Sequence, residues 1–103
     1  MPSPATMWRM AKIAGAIDTT VRLIETVIQA VPSFKFQSES GKEIAVRDLA
    51  GLARSIQAAT SVPQGIPIDE SDVASLEKRF TAVEADVKSM LTQLARLPTI
   101  TAT

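Results

Sequence analysis

The chain has 103 residues, with 11 basic and 11 acidic side chains and no cysteine or histidine. That is one domain or less. With no net charge, it lacks the basic field that attracts nucleic acid or anionic lipid. Without Cys there is no disulfide, thiol nucleophile or zinc–thiolate site. Without His the commonest general base and transition-metal ligand are both missing, so neither an enzyme nor a cofactor is expected.

Met1-Pro2-Ser3-Pro4-Ala5 reads as an extended N-terminal arm (1–5), because its two prolines oppose helix. It lacks the basic start and apolar core of a signal peptide, so a virion or cytoplasmic location is expected, with the compartment otherwise unknown. A helix is predicted from Thr6 to about Val31, stopped by Pro32. Its apolar positions step by three and four: Met7, Met10, Ala14, Ile17, Val21, Ile24, Ile28 and Val31. Ile13 and Val27 widen the stripe, which suits a multi-helix bundle. Lys12, Asp18, Arg22 and Glu25 interrupt this most apolar stretch, so no membrane span is expected.

The period then changes to two. Phe34-Lys35-Phe36-Gln37 and Glu43-Ile44-Ala45-Val46 alternate across Ser38-Glu39-Ser40-Gly41-Lys42, which predicts a small β-hairpin, with an irregular loop as the alternative. A short helix follows from about Arg47 to Thr60, with Asp48 as its expected N-cap and Leu49, Leu52, Ala53 and Ile56 on one face. Gly51 and the alanines are expected to let it approach a neighbour closely. Residues 6–60 thus form a helix–hairpin–helix module, and 61–68, with two prolines and a glycine, an extended linker.

The last element, 69–97, carries the strongest pattern. Val73, Leu76, Phe80, Val83, Val87, Met90, Leu94 and Leu97 alternate in steps of three and four, with Asp69 or Ser71 as the N-cap. One straight helix cannot bury such a stripe alone. With Val73 at position a, Phe80 at a and the β-branched Val83 at d disfavour a two-stranded coil. The flanking segment Arg79-Phe80-Thr81-Ala82-Val83-Glu84 resembles the short trimerisation motif of parallel three-stranded coiled coils: Arg, apolar, two variable residues, apolar, Glu. The resemblance implies that Arg79 pairs with Glu84 of a neighbouring copy. An internal antiparallel helical bundle is the alternative. Residues 98–103 form a polar, β-prone tail.

Other candidate chemistry is thin. Ser40-Gly41-Lys42 resembles the end of a phosphate loop, but Phe36 and Glu43 occupy the positions that need glycine and Ser or Thr. Asp69, Glu70 and Asp72 lack the spacing of a calcium loop and suit the positive end of a helix dipole. Ser55 and Ser89 have no histidine to activate them. Trp8, with Met7 and Met10 beside it, reads either as an anchor into a partner or as the end cap of the core.

The expected fold is therefore mainly α: two heptad-patterned helices and one short helix, with a small β-hairpin, in an oligomeric coiled coil. The expected function is non-enzymatic self-assembly, as a homotrimer. Short trimeric coils with interposed β elements are similar to parts of phage tail fibres and other virion attachments. On that likeness the coil trimerises while Met7, Trp8 and Met10 dock onto a larger protein assembly. The rival reading is an oligomeric adaptor whose helix over 7–31 fills a partner's groove.

Overall fold

The computed structural model describes residues 4–61 and 69–97. The first three residues of the predicted arm, most of the linker and the tail lie outside the described residues. Three helices and one hairpin make up the fold: α1 Pro4–Ala30, β1 Lys35–Gln37, β2 Glu43–Ala45, α2 Val46–Thr60 and α3 Glu70–Leu94.

α1 begins two residues before the sequence pattern predicts, taking Pro4 and Ala5 out of the arm. Proline is tolerated in a first turn, where its missing N–H would have no intrahelical acceptor. The helix ends at Ala30, and the Val31 N–H still reaches the Val27 carbonyl at 2.8 Å before Pro32. Its buried face is Met10, Ile13, Ile17, Val21, Ile24 and Val27.

The hairpin pairs Lys35 with Ala45, Phe36 with Ile44 and Gln37 with Glu43 in antiparallel register. Gly41 closes its turn at φ +88°, where a Cβ is disfavoured. The Val46 N–H donates to the Phe34 carbonyl at 2.9 Å, so the first residue of α2 also lengthens the ladder. An isolated two-stranded hairpin is marginal in water. Here Phe34 and Phe36, two apart and therefore on one face, stack at 6.2 Å between ring centroids and are both buried in the core cluster.

α2 is capped differently from the sequence expectation. Ala45 is its N-cap, in extended conformation and without a side-chain cap, while Asp48 sits inside the first turn. The hairpin runs straight into the helix, so the strand's own geometry starts it and Asp48 serves only the dipole. Gly51 is exposed, and a Cβ there would meet nothing within 4 Å, so it supports no close helix approach. α3 is capped by Asp69, whose carboxylate accepts from the Ser71 N–H and hydroxyl. Its helix ends at Leu94 rather than Leu97, and Leu97 is exposed.

Side-chain ties give the helix directions. Arg54 bonds Glu25 and Gln57 bonds Asp18, so α2 runs antiparallel to α1. Arg9 pairs with Glu77 near the start of α3, and Gln93 near its end meets Gln37, so α3 runs parallel to α1. The result is an up–down–up three-helix bundle closed at one end by the hairpin. Ile17, Ile24, Val46, Leu49, Ala53, Val73 and Met90 are fully buried at its centre.

Candidate functional site

The α3 stripe is the first candidate surface, and the single chain already covers much of it. Val73, Leu76, Val83 and Met90 are buried, and Phe80, Val87 and Leu94 pack partly buried against the same core. The apolar partners that such a stripe requires are α1 and α2 of its own chain. Arg79 donates to the Ser55 hydroxyl on α2 at 2.7 Å, and Glu84 is exposed. Leu91 is exposed on the flank of the stripe, and Leu97 lies beyond the end of the helix.

At the opposite end of α3, Arg9 clasps α1 to α3. Its Nε donates to Glu77 Oε2 at 3.0 Å, Nη2 donates to Oε1, and Nη1 lies 3.5 Å from Glu70. The planar guanidinium matches the Glu77 carboxylate with two parallel bonds. The Arg9 hydrogen bond, with its charge and that of Lys12, holds the Glu77 carboxyl below the usual carboxylate range. The guanidinium pKa moves up correspondingly. The Ser71 bonds hold Asp69 low. Asp69 and Glu70 therefore have partners that explain their position without a cation.

The second candidate surface is the start of α1. Trp8 is 66 % exposed and Met7 54 %, whereas Met10 is 8 % exposed and belongs to the core. The sequence grouping Met7, Trp8 and Met10 thus splits. At about 100° per residue, Trp8 lies roughly 180° around α1 from the buried Ile17. Met10 falls on the core face with Ile17. Trp8 is therefore not the end cap of the core.

Hollows flank α3. One of about 400 Å³ lies between α1 and α3, floored by Ile13, Ala16 and Phe80 with Arg9, Lys12 and Glu77 at its walls. Another of about 150 Å³ lies between α2 and α3, lined by Leu52, Ile56, Ala82 and Val83 with Arg79 and Asp86. Leu52 is half exposed there, on the rim. A third, of about 380 Å³, lies between Glu39 of the hairpin turn and α3, against Lys88, Thr92 and Arg96.

Two contacts had no signature in the sequence. The Arg9–Glu77 clasp joins residues 68 apart, and the Gln93–Gln37 contact joins residues 56 apart.

The fold and these surfaces define a three-helix bundle with a terminal β-hairpin. No protein-family model matches the chain, and no match appeared among curated proteins or solved structures. Among the described residues, no helix is long and apolar enough to cross a membrane.

Proposed function

We propose that the protein is a non-enzymatic, self-assembling structural component that acts through protein–protein contact while its bundle stays closed. The observation that carries this reading is Trp8, the chain's single tryptophan, held 66 % exposed on the side of α1 away from the core. A rigid aromatic displayed on a helix loses little conformational entropy on binding, and such residues dominate interface energetics. The setting we propose is a virion or phage fibre or attachment assembly. Its support is the architectural likeness to short coils with interposed β elements, and displayed Trp8, Met7 and Leu52 support protein–protein contact in general.

The homotrimer implied by the Arg79-to-Glu84 resemblance would place the α3 stripe between copies and release Arg79 from Ser55. With Val83 and Met90 committed to the chain's own core, the proposed assembly joins closed bundles by their outer faces rather than exchanging the α3 stripe. Light scattering across a concentration series tests this. Assembly beyond the monomer is expected, and a monomer at every concentration overturns self-assembly. The exposure of Met7 and Trp8 also supports the rival reading, an oligomeric adaptor whose helix over 7–31 binds a different protein. Binding of such a protein that is lost in Trp8→Ala while assembly persists would establish the adaptor instead.

A further inference from the structure

We infer that the Gln93 side chain is a guard on the open edge of β1, which keeps that edge from pairing with β1 of a second copy. A two-stranded sheet has two outer edges, and unpaired backbone groups there are a template for another strand. The register shows which groups these are. The Ser38 N–H donates to the Lys42 carbonyl and the Val46 N–H to the Phe34 carbonyl, and Phe36 lies opposite Ile44 between them. Antiparallel ladders alternate bonded and non-bonded pairs, so Lys35 and Gln37 turn their backbone groups away from β2. Glu43 and Ala45 turn theirs away from β1.

Each of these positions has its own protection. Lys35 and Glu43 are exposed and carry charge, which opposes the approach of another strand. Ala45 is the N-cap of α2, so its carbonyl turns into the helix. Gln37 has neither a charge nor a helix start, and it is the position that α3 covers. The Gln93 carboxamide accepts from the Gln37 N–H at 2.9 Å and donates to its carbonyl at 2.7 Å, making both bonds that a strand would make. Phe34 and Phe36 already seat the hairpin in the core, whereas the Gln37 contact lies at the surface. Excluding a strand accounts for a two-point bond where burial contributes little.

A second copy is the strand this edge fits. Antiparallel pairing about Phe36 sets Gln37 of each copy opposite Lys35 of the other, so no like charges stand directly opposite. The main-chain bonds at these positions need no further side-chain match, and every copy carries the same edge. Such a contact is two-fold and joins two hairpins into one sheet. Gln93 must leave before it forms, because it occupies the same backbone groups. It is the last residue but one of α3, so a strand reaching this edge meets the end of the helix.

Amide hydrogen exchange at Gln37, followed from dilute to concentrated solutions of the full chain, tests the guard. Infrared spectroscopy detects intermolecular sheet, and helical circular dichroism is the folding control. In Gln93→Ala combined with Lys35→Thr, Gln37 should exchange about fivefold faster in dilute solution, the factor given by losing one hydrogen bond's net contribution. As concentration rises, that exchange should slow and intermolecular sheet should appear. Wild type is the baseline at each concentration and should show neither change, so assembly through other faces is not counted. Gln93→Glu separates guarding from tying. It loses the donor, so Gln37 should exchange faster, but its carboxylate still charges the edge and no sheet should form. Unchanged Gln37 exchange in the double variant, or faster exchange that ignores concentration, overturns the guard. Equal sheet formation in Gln93→Glu or in wild type also overturns it. If the double variant loses helicity, Gln93→Ala alone is held to the same outcomes. A wild-type chain that stays monomeric bears only on the self-assembly reading, a distinct result.

Discussion

The Gln93 carboxamide docks on the Gln37 backbone as a neighbouring strand would: its oxygen accepts from the Gln37 N–H at 2.9 Å and its NH₂ donates to the Gln37 carbonyl at 2.7 Å. The sheet has only two strands, so β1 presents an edge of backbone groups to solvent. One side chain from α3 covers part of that edge and ties the hairpin to the bundle.

Replacing Gln93 by Ala should therefore loosen the hairpin more than the helices. The expected loss is about 1 kcal/mol, since each exposed hydrogen bond contributes on the order of 0.5–1.5 kcal/mol at most. Amide hydrogen exchange should show faster exchange at Gln37, with the centre of α1 little changed. Gln93→Glu keeps an acceptor but loses the donor, so it should not rescue the contact.

Val83 separates two views of the α3 stripe. If the stripe serves chiefly to join copies, Val83→Asp would yield a folded monomer. Because Val83 is buried within one chain, the substitution should abolish helical circular dichroism even in dilute solution. Ile17→Ala, at the fully buried centre of α1, should cost about 2–5 kcal/mol in urea unfolding through the cavity it leaves.

Acid should weaken the α1–α3 clasp. Glu77 and Asp69 both have carboxyl pKa values held below their ordinary range, the first by Arg9 and the second by Ser71. The unfolded chain binds protons at these sites at higher pH than the folded one does. Their stabilisation is present at neutral pH and declines as pH falls below about 4, the ordinary carboxylate range, through the folded values. Melting temperatures measured from pH 7 to pH 3 should fall, and Glu77→Gln should flatten part of that fall.

Two glycines should respond in opposite directions to alanine. Gly41 holds φ +88° with open space around its missing Cβ, so the penalty is backbone alone. Gly41→Ala should cost about 1 kcal/mol. Gly51 lies within α2, also in open space, and Gly51→Ala should stabilise by roughly 0.5–1 kcal/mol. Chemical denaturation of the two variants checks both signs.

The order of elements was legible because each carries a local signature. The step of three and four marked both long helices, and alternation at Phe34 and Phe36 marked the hairpin. Asp69 before Ser71 marked the start of α3. Boundaries moved where local rules competed: Pro4 fits a first turn as well as an arm, and Ala45 starts α2 from the strand without a capping side chain. Met7 and Met10 looked equivalent in the sequence, yet one is exposed and the other buried. Periodicity places both near an apolar stripe, and only the position of a neighbouring helix decides which is covered.

The sequence alone determined which face of each helix is apolar, since side-chain direction follows from 3.6 residues per turn. It pointed to the hairpin and its glycine turn through alternation of period two, with an irregular loop left as the alternative. It also determined that the stripe from Val73 to Leu94 must be covered. What covers it was decided by tertiary structure: the hairpin returns α2 antiparallel along α1, and α3 then lies along both. That choice rests on core packing between residues far apart in the chain, such as Ile17, Leu49 and Met90, which no local pattern encodes, and Arg9–Glu77 and Gln37–Gln93 pin it at the surface. It leaves Trp8, rather than the stripe, as the large apolar side chain most open to a partner among the described residues.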